Sequence, residues 1–175
     1  MGTRTIEWHD GKVVTVDQAR LPREVVTLEM RNCDEVAEAV RTMKIRGAPL
    51  LGATAAYALA LAAYHSKAEN TNGLINELEK AAEILRGTRP TGVNLFWAID
   101  RILDKAKVFS GNAKDLAAFV VGEAQKIADE DATANHLIGN YGAELIHDGD
   151  VILTHCNAGA LATVEYGTAL GVVRV

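Results

Sequence analysis

Polar and apolar positions alternate through Thr5-Ile6-Glu7-Trp8, and the apolar-rich run Val13-Val14-Thr15-Val16 follows on the other side of His9-Asp10-Gly11-Lys12. Alternation predicts strands, and the Asp-Gly pair between them predicts a tight hairpin. Val25-Val26-Thr27-Leu28, after the Leu21-Pro22 turn, predicts a third strand. From Asn32 the period becomes helical: Val36, Val40 and Met43 share a face, Asn32 stands at the N-cap, and Glu35 takes the capping-box position. Arg46-Gly47-Ala48-Pro49 breaks this helix, and Pro49 suits the first turn of the next. Residues 50–65 are apolar nearly all round, which predicts a central helix. Residues 73–85 predict an amphipathic helix with Leu74, Leu78, Ala81 and Leu85 inward and Gly87 just past its end. Arg89-Pro90-Thr91 is a second break, with Thr91 as the predicted cap of a helix carrying Val93, Phe96, Ile99, Leu103 and Ala106. Asn112 is expected to cap a long helix past Leu116, Val120 and Ile127, and another helical stretch ends near Ile146. After the turn at residues 147–150, Val151-Ile152-Leu153 predicts a short buried strand and residues 162–175 predict a helix.

These elements imply an α/β protein in two parts. Residues 1–147 form a β-hairpin and helical bundle, and residues 148–175 begin a Rossmann-like parallel sheet domain with its first strand–turn–helix unit. One such unit cannot bury both faces of its strand. The chain is therefore expected to be truncated, or continued in another chain carrying the remainder of the α/β domain. A content of 49% hydrophobic and 23% charged residues is that of a soluble globular protein. The net charge of -5 argues against a nucleic-acid partner. The longest weakly polar run, residues 48–64, falls short of a membrane span. The first five residues lack the apolar core of a signal peptide. Cys33 and Cys156 form neither a zinc-like cluster nor a disulfide framework, so a reducing cytoplasmic compartment is expected.

The chemistry gathers at the predicted loops. Cys156 follows the predicted strand and precedes a small-residue turn and a helix, the sheet edge where α/β proteins bind ligands and where helix dipoles favour thiolates. A free cysteine is otherwise a small buried hydrophobe, but His155, Asn157 and Gly159 supply polar groups and a tight turn that a core strand does not need. Arg46 and Arg89 each stand just before a predicted helix start, where a guanidinium and free N–H groups suit a phosphate. Together they suggest an anionic small molecule. Trp8, Phe96 and Trp97 read as packing residues, and Cys33 as structural. Glu130, Asp131 and His136 have helical spacing that a metal could use, but they read as a solvated face and no metal is expected. No nucleotide-binding glycine motif is present.

Three segments together carry a resemblance: Ile45-Arg46-Gly47-Ala48-Pro49-Leu50-Leu51-Gly52, Arg89-Pro90-Thr91-Gly92-Val93-Asn94-Leu95, and residues 152–163 around His155-Cys156-Asn157. In this order they resemble the methylthioribose-1-phosphate isomerase family, which is related to the regulatory subunits of translation initiation factor 2B. The resemblance implies an intramolecular oxidoreductase, an aldose–ketose isomerase of methionine salvage that needs no cofactor. It would convert 5-methylthioribose 1-phosphate to 5-methylthioribulose 1-phosphate. It implies that Arg46, Gly47, Ala48 and Arg89 bind substrate, and that Cys156 acts in proton transfer or transition-state stabilisation. It also implies a homodimer and a catalytic aspartate in a later part of the α/β domain. Departures are modest: Leu50-Leu51 and Gly92 replace the usual residues, and Glu165 adds a charge that could tune substrate choice. Two alternatives stand beside this one. One is a sibling isomerase acting on 5-deoxyribose 1-phosphate or ribose 1,5-bisphosphate; the other is a non-catalytic regulatory subunit of the initiation-factor type.

Overall fold

The structure is a computed structural model that describes residues 4–90 and 92–175. Three strands, β1 (Ile6–His9), β2 (Lys12–Val16) and β3 (Thr27–Met30), form an antiparallel sheet in the order β1-β2-β3. Asp10 and Gly11 both take positive φ, 42° and 79°, the geometry that two-residue hairpin turns require. Trp8 pairs with Val13, and Val13 with Met30, which fixes the register. The third strand starts at Thr27, two residues later than the pattern predicts, because Val16 of β2 pairs with Thr27 and Val25 lies beyond the ladder in solvent.

Five helices follow: α1 (Cys33–Arg41), α2 (Ala48–Tyr64), α3 (Thr71–Arg86), α4 (Val93–Lys107) and α5 (Ala113–Ala143). Asn32, Asn70 and Asn112 cap α1, α3 and α5, each accepting a backbone N–H three residues on. Glu35 completes the first cap by accepting from the Arg31 N–H at 2.7 Å. The predicted cap of α4, Thr91, lies outside the described residues, and that helix starts from Gly92. α2 touches α1, α3, α4, α5 and the first two strands. It is buried on every side, as its all-round apolar pattern predicts. Its many alanines let the neighbouring helices approach closely, while Leu50, Leu59 and Leu61 fill the gaps. Each such leucine contributes about 1.5–3 kcal/mol on full burial. Between α4 and α5 the buried Glu123 carboxylate meets Arg101 at 2.7 Å and Lys105 at 2.6 Å. Burial opposes its ionisation, but these two cations hold its pKa below the ordinary value.

Beyond α5 the chain departs from its pattern. Leu145 and Ile146 donate three residues back in a tight turn after Ala143, so the helix ends earlier than predicted. Residues 151–153 form no strand and pair with nothing among the described residues, and Val151 and Leu153 are 98% and 96% exposed. A parallel strand needs a neighbour for its N–H and C=O groups, and the described residues supply none there. The helix predicted over residues 162–175 is divided. A 3₁₀ turn spans Ala160–Ala162, and only Ala169–Arg174 forms a helix, α6. The hydroxyl of Thr163 donates to Glu165 O at 2.8 Å and accepts from the Gly167 N–H at 3.2 Å. Tyr166 and Gly167 take positive φ, and Gly167 bridges to Gly159. Such local bonds compete with helix formation. α6 then packs on α5, where Gly142 lies against Val172. No described helix is long and apolar enough to cross a membrane.

Candidate functional site: two helix starts and a cysteine loop

The segment Arg46-Gly47-Ala48-Pro49 forms the start of α2. Gly47 is the N-cap, with φ 114° and ψ 129°, and it offers no side-chain acceptor to the first helical turn. The N–H groups of Ala48 and Leu50 lie in that first turn, where helix geometry provides no intrahelical partner; Pro49 has none to give. α4 starts beside it, since a Cβ on Gly52 would stand 3.2 Å from the Asn94 carbonyl oxygen. Two helix N-termini therefore lie together, each preceded by an arginine. Arg46 is exposed and Arg89 is half-buried. Arg89 Nη1 lies 2.7 Å from Met43 Sδ, three residues before Arg46. A thioether is a weak acceptor, and among the described residues neither arginine has a carboxylate partner. The site thus combines two guanidinium groups with two helix dipoles of the same sense, an arrangement that attracts anions.

The cysteine loop meets the start of α2. Cys156 is exposed, with φ 67°, so it is not a buried core thiol. A left-handed non-glycine residue costs about 1–3 kcal/mol. Downstream, Ala158 O accepts from Thr168 N and Leu170 N, at 3.0 Å and 3.2 Å, and turns the loop back on itself. The turn at Ala160–Ala162 then meets Gly47: a Cβ there would stand 2.4 Å from Ala162 Cα. Three side chains hold the turn from elsewhere in the fold. Thr5 Oγ1 donates to Ala160 O at 2.8 Å, Gln18 Nε2 donates to Leu161 O at 2.8 Å, and Asp131 Oδ2 accepts from Val164 N at 2.7 Å. Burial raises the Asp131 pKa above its ordinary value, although the Val164 N–H and Asn135 pull the other way.

Gly47 is thus brought to Ala162, six residues after Cys156, and Arg89 to the segment leading into Arg46. Among the described residues no hydrogen bond or ion pair joins Cys156 to either arginine. Glu165 faces Arg4 at 3.5 Å and His136 at 3.4 Å. The trio with metal-like spacing has other roles: Glu130 pairs with Arg101, Asp131 holds Val164, and His136 stacks on Tyr166. Among the described residues no group of three or more His, Cys, Asp or Glu is placed to hold a metal. Trp8 packs on Tyr57 and Tyr64, while Trp97 is 47% exposed beneath the Arg101 guanidinium. Cys33 is buried, and burial pushes its thiol up to about 12. Thr5, Gln18 and Asp131 escape a sequence reading because their partners lie far along the chain, and no local pattern marks them.

A three-stranded antiparallel sheet and a helical bundle whose α2 start seats on the loop after Cys156 define a mixed α/β protein. The chain belongs to the Initiation factor 2 subunit family, which residues 44–175 match. It is 45% identical over 172 residues to methylthioribose-1-phosphate isomerase of Thermosipho africanus, covering 98% of this chain and 49% of that protein. A putative methylthioribose-1-phosphate isomerase of Archaeoglobus fulgidus is 47% identical over 171 residues, covering 98% and 50%. The crystal structure of 5-methylthioribose 1-phosphate isomerase from Pyrococcus horikoshii superposes with a TM-score of 0.92 at 46% identity, covering 99% of this chain and 49% of that one. A crystal structure named as translation initiation factor eIF-2B, subunit delta, from A. fulgidus superposes at 0.88, also at 46% identity, covering 99% and 50%. The chain spans about half the length of the curated relatives it matches.

Proposed function

We propose that this chain supplies the phosphate-holding loops and the thiol of a sugar-phosphate isomerase that converts 5-methylthioribose 1-phosphate to 5-methylthioribulose 1-phosphate. The observation that carries this reading is the seating of Gly47 against Ala162, which unites the Arg46 loop with the cysteine loop. Relatives named for this activity support it. Arg46, Arg89 and the amides of Gly47 and Ala48 hold the phosphate. Cys156 stands on the loop beside the sugar. A phosphate on C1 blocks the free aldehyde, so the ring must open before hydrogen moves from C2 to C1. Ring opening needs a proton for the ring oxygen, and a positioned acid or base there contributes about 10²–10⁴-fold. The second half of the acid–base pair, an aspartate, comes from the remainder of the α/β domain, in a cytoplasmic homodimer without a cofactor.

A regulatory reading also has an observation behind it, the neighbour named for an initiation-factor subunit. Turnover separates the two. The chain joined to the carboxyl-terminal half of a relative is mixed with 5-methylthioribose 1-phosphate, and the ketose product is followed by phosphorus NMR. Conversion supports the isomerase. Faster conversion of 5-deoxyribose 1-phosphate or ribose 1,5-bisphosphate identifies a sibling enzyme. No conversion of any of the three sinks the catalytic reading in favour of the regulatory one.

A further inference from the structure

We propose that Gln18 is a positioning residue of this site, clamping the Arg46 loop to the cysteine loop; the inference rests on the isomerase reading above. The Gln18 side chain reaches both loops from a third part of the fold. Its main chain is fixed first: Gln18 N donates to Lys44 O at 2.9 Å, Asp17 N donates to Val26 O at 2.8 Å, and Asp17 Oδ1 accepts from Ala19 N at 3.0 Å. The residue is 3% exposed. Its Nε2 donates to Leu161 O at 2.8 Å and to Arg46 O at 3.3 Å. Two carbonyls facing one nitrogen demand an NH₂ group, so the orientation of the amide is set by its partners. Oε1 is left buried without a hydrogen-bond partner among the described residues.

A buried acceptor is rarely left unpaired. Here it is tolerated where both donors of the same amide hold the two loops. No other uncharged side chain of this length carries two donors on one nitrogen: Asn is a methylene shorter, Met has no donor, and Glu would turn oxygen toward oxygen. The consequence lies one residue further on in each loop. Arg46 O precedes Gly47, where α2 begins, and Leu161 precedes Ala162, which seats on Gly47. Gln18 therefore sets the spacing between the arginine that holds the phosphate and the loop that carries the thiol. A displacement of about 1 Å between positioning and reacting groups costs on the order of 10²-fold in rate.

The test uses Gln18→Met and Gln18→Glu in the complete protein, with steady-state kinetics on 5-methylthioribose 1-phosphate and circular dichroism to confirm folding. Both variants are expected to stay folded at assay temperature, to raise KM about tenfold and to lower kcat about tenfold or more. Glu should be worse than Met despite its similar size. Wild-type KM and kcat in both variants would overturn the proposal. So would a loss of rate matched by the unfolded fraction with KM unchanged, which is what a purely structural residue gives. If the wild-type complete protein turns over no sugar phosphate, the isomerase reading fails by itself. Gln18 is then judged by hydrogen exchange in the 175-residue chain. Exchange at Ala162 and Thr163 about tenfold faster in Gln18→Met supports the clamp, and unchanged exchange refutes it.

Discussion

At φ 114° and ψ 129°, Gly47 occupies backbone space that side chains avoid, and its missing Cβ is replaced by Ala162. Gly47→Ala should cost about 2 kcal/mol or more, from backbone strain and from the forced separation of the loops, and thermal unfolding measures it. In the proposed function Arg46 and Arg89 hold the phosphate through charge-assisted contacts. Arg46→Ala or Arg89→Ala should each weaken binding of 5-methylthioribose 1-phosphate to the complete protein by about 1.5–3 kcal/mol, read by calorimetry. Unchanged affinity would remove that arginine from the site. The two cysteines differ in kind. Cys33 is buried and its thiol is pushed up to about 12, whereas Cys156 lies in solvent. Iodoacetamide at pH 8 should therefore label Cys156 in the folded chain and reach Cys33 only after unfolding, as peptide mass mapping would show. Cys156→Ala should leave the fold intact and abolish isomerisation; near-normal turnover would end its catalytic assignment.

Among the elements, α5 carries the contact that ties the helical bundle to the cysteine loop, through Asp131 and Val164 N. Burial raises the Asp131 pKa above its ordinary value. A carboxyl raised by folding contributes stability in full below the unfolded value, and that contribution is lost as pH rises through the folded one. Asp131→Asn keeps an oxygen for the Val164 N–H and cannot ionise. It should abolish this part of the pH dependence and leave stability at neutral pH equal or higher, measured as Tm against pH. Elements whose signals are local were legible in sequence: the Asp10-Gly11 hairpin, the asparagine caps, and α2 with its apolar circumference. The segment after α5 was legible only in part. Val151-Ile152-Leu153 has a strand's composition, but a strand is a relation between two segments and its neighbour is not among the described residues. The helix expected from Ala162 yields to bonds made by Thr163, whose effect depends on a turn that brings Gly159 to Gly167. At the site, both arginine breaks were readable from proline and glycine. The struts Thr5 and Gln18 were not, since nothing near them in sequence announces their partners.

On the scale of the whole molecule, α5 and the residues after it leave several apolar side chains in solvent. Leu137, Tyr141 and Leu145, from the last turns of α5 and just past it, lie in solvent with Val151 and Leu153. Apolar side chains left in solvent on a helix and on an unpaired segment are a docking or self-association hazard. Joining the chain to the carboxyl-terminal half of a relative should slow amide exchange at residues 151–153 at least tenfold, by giving them a neighbouring strand; unchanged exchange would show that this segment is not a strand of the complete protein. The meeting of Gly47 and Ala162 has a consequence on an evolutionary scale. A Cβ at position 47 would meet the backbone of residue 162, which every residue type carries, so no substitution at 162 makes room for it. The glycine is then required whatever residue stands at 162, and lineages that alter substrate preference would have to do so around this joint and not through it.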